Sequence, residues 1–269
     1  MASQGAFIVF AFLVVLQILS LPVSGYENYT EGTMELDRAN GGWHSGAAAT
    51  WNGRPHGDGS EGGACGYQKA VGQRPFSSMV AGGGPSLFRN GKGCGACYQV
   101  KCTGNSACSG HPVTVVIADS GPGGNKPAFF DMSGTAFGAM ANPGMGDRLR
   151  NAGIVDVQYK RVTCKYGTNV VFKVDKGSNP YYLAVLIEYE NGDGDLKDVH
   201  IMEQGNRLSA MQHSWGATWS INSKDGKPLR PPFSFALTSG SGHVLVAPRV
   251  IPSGWRPGST YLSSVNYAV

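Results

Sequence analysis

No cysteine follows Cys164, so residues 165–269 have no disulfide of their own, whereas all six cysteines lie before that point. A break of this kind in composition marks a domain boundary. Charge is scarce: 15% of residues are Asp, Glu, Lys or Arg, the net charge is +4, and no Lys/Arg-rich run occurs. That pattern excludes a nucleic-acid-binding stripe and permits an acidic polysaccharide as partner. The six histidines, at positions 44, 56, 111, 200, 213 and 243, show no HxxxH spacing, and Cys94-x-x-Cys97 has no second pair of metal-like spacing. No metal and no cofactor are expected, and the histidines are read as surface residues. After residue 25 no apolar run is long enough to span a membrane.

What is present describes a turn-rich β protein. The 269 residues include 40 Gly and 15 Pro, and 41% are hydrophobic, enough to build two ordinary cores. Ala6 to Leu19 is almost wholly apolar and uncharged and leads into Pro22-Val23-Ser24-Gly25, with Val23 at −3 and Gly25 at −1 of a cleavage site. Residues 1–25 are therefore expected to be a removed signal peptide, which makes the protein secreted. Residues 26–41 read as a polar extension with a glycosylation acceptor at Asn28-Tyr29-Thr30. In an exported chain six cysteines predict disulfides, and fifteen pairings are open.

Local pattern places several elements. Val113 to Ala118 and Ile154 to Val162 are rich in β-branched residues and predict strands. Short helices are predicted at Thr135 to Met140, behind a Ser133 cap, and at Gly146 to Asn151. The second half predicts an antiparallel sandwich from Tyr182 to Tyr189, Val199 to Glu203, Thr218 to Asn222, Phe233 to Thr238 and Val244 to Ala247, with a hairpin at Ser239-Gly240-Ser241-Gly242. Turn clusters stand on both sides of a short strand-like run, Val170 to Val174, and residues 167–177 are read as a linker.

Three blocks in the first half carry chemistry: Ala49-Thr50-Trp51-Asn52-Gly53 with Glu61-Gly62-Gly63-Ala64-Cys65-Gly66; Gly93-Cys94-Gly95-Ala96-Cys97-Tyr98 with Cys102; and the carboxylates Asp119 and Asp131, the latter in Phe129-Phe130-Asp131-Met132-Ser133-Gly134. With Asn179-Pro180-Tyr181-Tyr182, Ser214-Trp215-Gly216-Ala217-Thr218-Trp219 and Trp255-Arg256-Pro257, they resemble the expansins over nearly the whole chain beyond the signal, and the β-expansins, relatives of the grass group-1 pollen allergens, in particular. The resemblance implies an all-β protein: a family-45-endoglucanase-like six-stranded double-psi β-barrel over residues 42–166, then an immunoglobulin-like polysaccharide-binding β-sandwich over 178–269. It also implies the pairs Cys65–Cys94, Cys97–Cys164 and Cys102–Cys108, and a monomer in the cell wall whose partners are glucuronoarabinoxylan and cellulose.

An inverting glycosidase needs two carboxyl groups, one to protonate the leaving group and one to activate water. Asp131 matches the acid of the related hydrolases and Asp119 a second family aspartate, while the resemblance implies that the hydrolases' base has no equivalent here. From the residues alone, Asp119 reads as a strand-end carboxylate on turn donors and Asp131 as a cap. The chain departs from the family pattern at Asn52, where Tyr is usual, at Glu61, where Asp is usual, and at Phe129, where His is usual. Thr50, Trp51, Asn52 and Glu61 are expected to line the barrel's groove, and Tyr182, Trp215 and Trp219 to offer rings to sugar faces, with Trp215 and Tyr182 the favoured platform, because Trp219 and Trp255 fit a core better. If one extended strand carried Trp215 and Trp219, they would lie about 13 Å apart on one side. The expected activity is wall loosening without hydrolysis. The alternatives are an endoglucanase with Asp131 as general acid and a passive lectin-like wall protein.

Overall fold

The computed structural model describes residues 42–59, 61–205, 207–224 and 226–269. The signal segment, the Asn28 sequon and the extension to residue 41 lie outside them. Six strands close a barrel in the order β1 (His44–Asn52), β5 (Phe129–Ser133), β2 (Val80–Gly83), β4 (Val113–Ser120), β3 (Cys97–Cys102) and β6 (Val155–Val162). β1 pairs with β5 and β2 with β4 in parallel, and the remaining pairs are antiparallel. These two parallel pairs within one closed ring make the double-psi arrangement, and closure leaves the barrel without an edge.

The barrel is filled by Phe130, Met132, Tyr98, Ile117 and Val115, all nearly inaccessible to solvent. Pro85–Phe88 forms a single turn, α1. Gly134–Ala139 (α2) begins where the Ser133 hydroxyl accepts the Ala136 N–H at 3.0 Å, the cap that the sequence predicts. Gly146–Asn151 (α3) follows at the predicted residues. Disulfides join Cys65 to Cys94, Cys97 to Cys164 and Cys102 to Cys108, the three pairs that the resemblance implies.

The second unit is a sandwich. One sheet runs β10 (Arg207–Ala210), β9 (Leu196–Glu203), β13 (Phe233–Ser239), β14 (Val244–Ile251). The other runs β11 (Gln212–Trp215), β12 (Thr218–Asn222), β8 (Tyr182–Glu188), β7 (Val171–Val174), β15 (Thr260–Leu262). Phe172 stacks on Phe235 at 4.6 Å across the two sheets, at the centre of their shared core.

The segment read as a linker over 167–177 needs correcting. Val171 to Val174 is β7, hydrogen-bonded between β8 and β15, with Phe172 and Val174 buried. Even the residues before it are tied down: the Asn191 side chain accepts the Tyr166 N–H, and Asn266 donates to the Thr168 carbonyl. Turn residues on both sides of a short apolar run mark a strand as readily as a linker.

Barrel and sandwich meet along a close seam. Cys164 and Gly192 exchange backbone hydrogen bonds at 2.8 and 3.1 Å. Arg89 and Arg161 of the barrel both bond the buried carboxylate of Asp195. Gly95 and Gly194 stand back to back, both with positive φ. An added Cβ at Gly194 would lie 2.1 Å from the Gly95 carbonyl oxygen.

Glu190 is buried beside this seam, near Tyr67 and Tyr166, and burial pushes its carboxyl up to about 8, with Glu188 and Asp195 adding to the rise and a backbone hydrogen bond opposing it. The folded state therefore holds a proton that the unfolded chain releases near 4.5. Its contribution is intact below about 4.5 and is lost as pH rises towards about 8. Denaturation measured across that window is expected to show a decline on the order of a few kcal/mol, and Glu190→Gln should remove most of the slope. An unchanged slope in the variant would refute this role.

Candidate functional site

One row of residues crosses the barrel wall. Thr50 on β1 is the partner of Asp131 on β5, Asp131 of Gly82 on β2, and Gly82 of Asp119 on β4. Partners in a sheet project to the same face, so the hydroxyl and the two carboxylates share one side of the wall. Neighbouring strands lie about 4.8 Å apart, which puts the two aspartates roughly 10 Å apart at their backbones. Gly82, the residue between them, contributes no side chain of its own.

The two acids have different surroundings. Asp131 is half-buried, and its carboxyl is raised above the usual aspartate range. Desolvation is the main cause, the hydrogen bond from Asn52 opposes it, and the charge of Asp119 adds to it. Asn52 thus places an amide on the acid. Asp119 Oδ1 accepts the N–H of Ala64 at 2.6 Å and of Ser120 at 2.7 Å. The reading of Asp119 as a strand-end acceptor of turn donors is therefore correct, and it coexists with a position facing Asp131.

Thr50 donates to the Gly153 carbonyl at 3.1 Å, and Trp51 Nε1 donates to the Arg150 carbonyl at 3.0 Å. The Trp51 ring is half-buried against the barrel core, fixed rather than free to swing. Glu61 is exposed, at the head of the loop that turns at Gly63 and Gly66.

That loop links the acids to the sandwich. At Gly63 a Cβ would touch the Asp119 side chain at 3.1 Å, and at Gly66 one would lie 2.8 Å from the Trp215 ring. The turn from Gly63 to Gly66 is closed by a 2.9 Å hydrogen bond, so Asp119 and Trp215 contact opposite ends of one tight turn. The Ala217 N–H donates to the Cys65 carbonyl at 3.0 Å and holds the β11–β12 hairpin on the barrel.

On the sandwich, Trp215 stands opposite Thr218, and Thr218 opposite Leu186. Tyr182, four residues before Leu186 on β8, shares that outer face about 13 Å further along. Trp215 is 50% exposed, and Tyr182 is half-buried beside the exposed Tyr181. Trp219 is a core residue, as one of its two readings had it, and does not join the sugar-facing rings. It is 5% exposed, lies in the sandwich core and packs on His213 at 5.1 Å. The chain turns back at Gly216-Ala217, so the two tryptophans occupy adjacent strands and opposite faces rather than one extended run. Trp255 packs partly buried against the same core.

Sequence reasoning missed Gly66, whose lack of a side chain leaves room for the Trp215 ring, and Gly82, which stands between the two aspartates in the sheet. Gly66 was visible as part of Gly62-Gly63-Ala64-Cys65-Gly66. Gly82 had no local signal, because only the barrel pairing puts it between two aspartates. Among the described residues no group of three His, Cys, Asp or Glu side chains is placed to hold a metal.

Comparisons with known proteins agree with this architecture. Residues 170–252 match the Expansin C-terminal domain, and residues 80–159 match a family described as Lytic transglycolase. The chain is 60% identical over 250 residues to Expansin-B11 of Oryza sativa subsp. japonica, covering 91% of this chain and 85% of the relative. It is 54% identical over 226 residues to Expansin-B4 of Arabidopsis thaliana, covering 82% and 86%. In fold it is similar to a mutant Clavibacter michiganensis expansin solved in complex with cellohexaose, with a TM-score of 0.63 and 21% identity over 84% of this chain and 98% of that one. A barrel and a sandwich joined at a fixed seam, with identity of this extent to plant relatives, place the chain in the expansin family, on its β-expansin branch.

Proposed function

We propose that the protein loosens plant cell walls by gripping a polysaccharide along the strip from Thr50 and Asp131, past Asp119 and the Gly63–Gly66 turn, to Trp215 and Tyr182. The glycan's contacts with its neighbours are exchanged for contacts with the protein, and no bond is cut. The observation that carries this reading is the turn shared by Asp119 and Trp215, which makes the acids of one domain continuous with the rings of the other. Sugar rings offer C–H faces to an indole while their hydroxyls meet carboxylates and hydroxyls at the rim. The bacterial expansin solved with cellohexaose favours a β-linked glucan as one ligand, and membership of the expansin family favours action in the plant cell wall, where the ligands of this reading are cellulose and glucuronoarabinoxylan.

The roles are divided by environment. Asp131, whose carboxyl desolvation raises above the usual aspartate range, accepts from sugar hydroxyls when ionised and donates to a sugar oxygen when protonated. Asp119 has one oxygen committed to two backbone donors, which favours positioning over taking a proton from water. Asn52 holds the Asp131 carboxyl, and Trp51, the partner of Met132 and bonded to the Arg150 carbonyl, packs against the barrel core and braces β1 behind Thr50 instead of lining the strip as the sequence suggested.

The test is a wall-extension assay run beside a reducing-end assay on the same walls. Extension without new reducing ends is expected. Asp131→Asn should slow extension about tenfold or more, the loss expected when a charged hydrogen bond of roughly 1.5–3 kcal/mol is removed. Reducing ends that disappear in that variant would establish an endoglucanase instead, and binding without extension would establish a passive wall protein.

A further inference from the structure

Halfway round the barrel from the acids, a second cluster stands on the outer wall. In the closed order, β3 and β6 lie opposite β5 and β2. Lys101 on β3 is the partner of Gln158 on β6, and Gln99 is the partner of Lys160, so ammonium and amide groups alternate on one face. Trp43, just before β1, lies under both cations: Lys101 Nζ is 4.1 Å and Lys160 Nζ 5.1 Å from the centre of its ring.

Two ammonium groups over one indole are partly immobilised by the ring's negative face. They also repel each other. Neither lysine has a carboxylate partner among the described residues, and the one acid on that face of β6, Asp156, is already paired with Lys126 at 3.0 Å. An anion placed between the lysines relieves the repulsion and gains two charge-assisted hydrogen bonds. The neighbouring glutamines offer donors and acceptors suited to hydroxyls, which a bare inorganic anion would leave unused.

We propose that Trp43, Lys101 and Lys160, with Gln99 and Gln158, form a second glycan site that takes the carboxylate of a uronic acid residue in an acidic polysaccharide. The choice of ligand class rests on the polysaccharide-binding reading above, but the site is separate from the groove. With the two sites on opposite walls, one molecule can hold an acidic matrix chain and a neutral glucan at once.

The experiment measures binding of the full chain to polygalacturonate, to glucuronate-bearing xylan, to the carboxyl-reduced form of each, and to cellohexaose. The chain is expected to bind one or both acidic polymers, more weakly as salt rises, and to lose that binding when the carboxyls are reduced. The double variant Lys101→Gln with Lys160→Gln should weaken it about tenfold or more, the value of one charged hydrogen bond, and leave cellohexaose unaffected. Lys224→Gln with Lys227→Gln, exposed lysines on the sandwich, lowers the net charge equally and should change little. The two acidic polymers distinguish a galacturonate from a glucuronate source. The proposal is overturned if wild type ignores both, if the control pair loses as much, or if carboxyl reduction has no effect. Failure on cellohexaose alone would count against the groove and leave this site standing.

Discussion

Gly194→Ala is expected to open the seam between barrel and sandwich, with a loss of about 2–5 kcal/mol from two sources. Gly194 has φ +77°, a conformation that disfavours any residue with a Cβ. The new methyl would also sit 2.1 Å from the Gly95 carbonyl oxygen and 2.5 Å from Cys164 Sγ, and neither neighbour can yield. The carbonyl belongs to the backbone beside Cys97, and the sulfur is locked to Cys97. At about 2–4 °C per kcal/mol for a chain of this size, thermal unfolding should shift down by roughly 4–20 °C. Gly110→Ala supplies the comparison: Gly110 also has positive φ, +73°, but nothing lies within 4 Å of its Cβ position. The difference between the two variants isolates the clash. Equal losses would mean that the seam carries no strain.

Trp215→Ala is the second large effect, and it falls on binding. The ring is half exposed, lies over Gly66 and has no polar role to compensate for its loss. Removing a large exposed anchor of this type costs about 2 kcal/mol, roughly thirtyfold in affinity for cellulose or a long glucan. Stability should change little, because the core beneath is formed by Trp219, Phe172 and Phe235 rather than by Trp215. Trp219→Ala is the opposite case: it should unfold the sandwich before any binding defect can be measured, as expected for removal of a buried tryptophan at about 3–5 kcal/mol. Comparable, purely functional losses in both variants would contradict the assignment of one ring to the surface and the other to the core.

How far the sequence led depends on whether the signal was local. β4 and β6 were legible because β-branched residues dominate them, and α2 because Ser133 caps it. β1 and β2 were not. Ala47, Ala48, Ala49, Gly82 and Gly83 have poor strand propensity, and they are extended because barrel closure buries and pairs them. The spacing of Trp215 and Trp219 misled because it assumed a continuous element, although Gly216-Ala217 between them is a recognisable two-residue hairpin loop. The acids were visible as candidates, but their alignment across Gly82 is a matter of register between distant segments, which no single window contains. For the disulfides, spacing left fifteen pairings open, and only the family resemblance selected the three that form.

Affinity measured against ligand length tests the central claim most directly, comparing cellobiose with cellohexaose and longer soluble glucans in wild type, Asp131→Asn and Trp215→Ala. If one chain lies along acids and rings together, affinity keeps rising with length in wild type, and long ligands lose affinity in both single variants. If affinity stops rising at the length that either domain alone can hold, or if each variant affects a different ligand, barrel and sandwich bind separately and no shared trough exists.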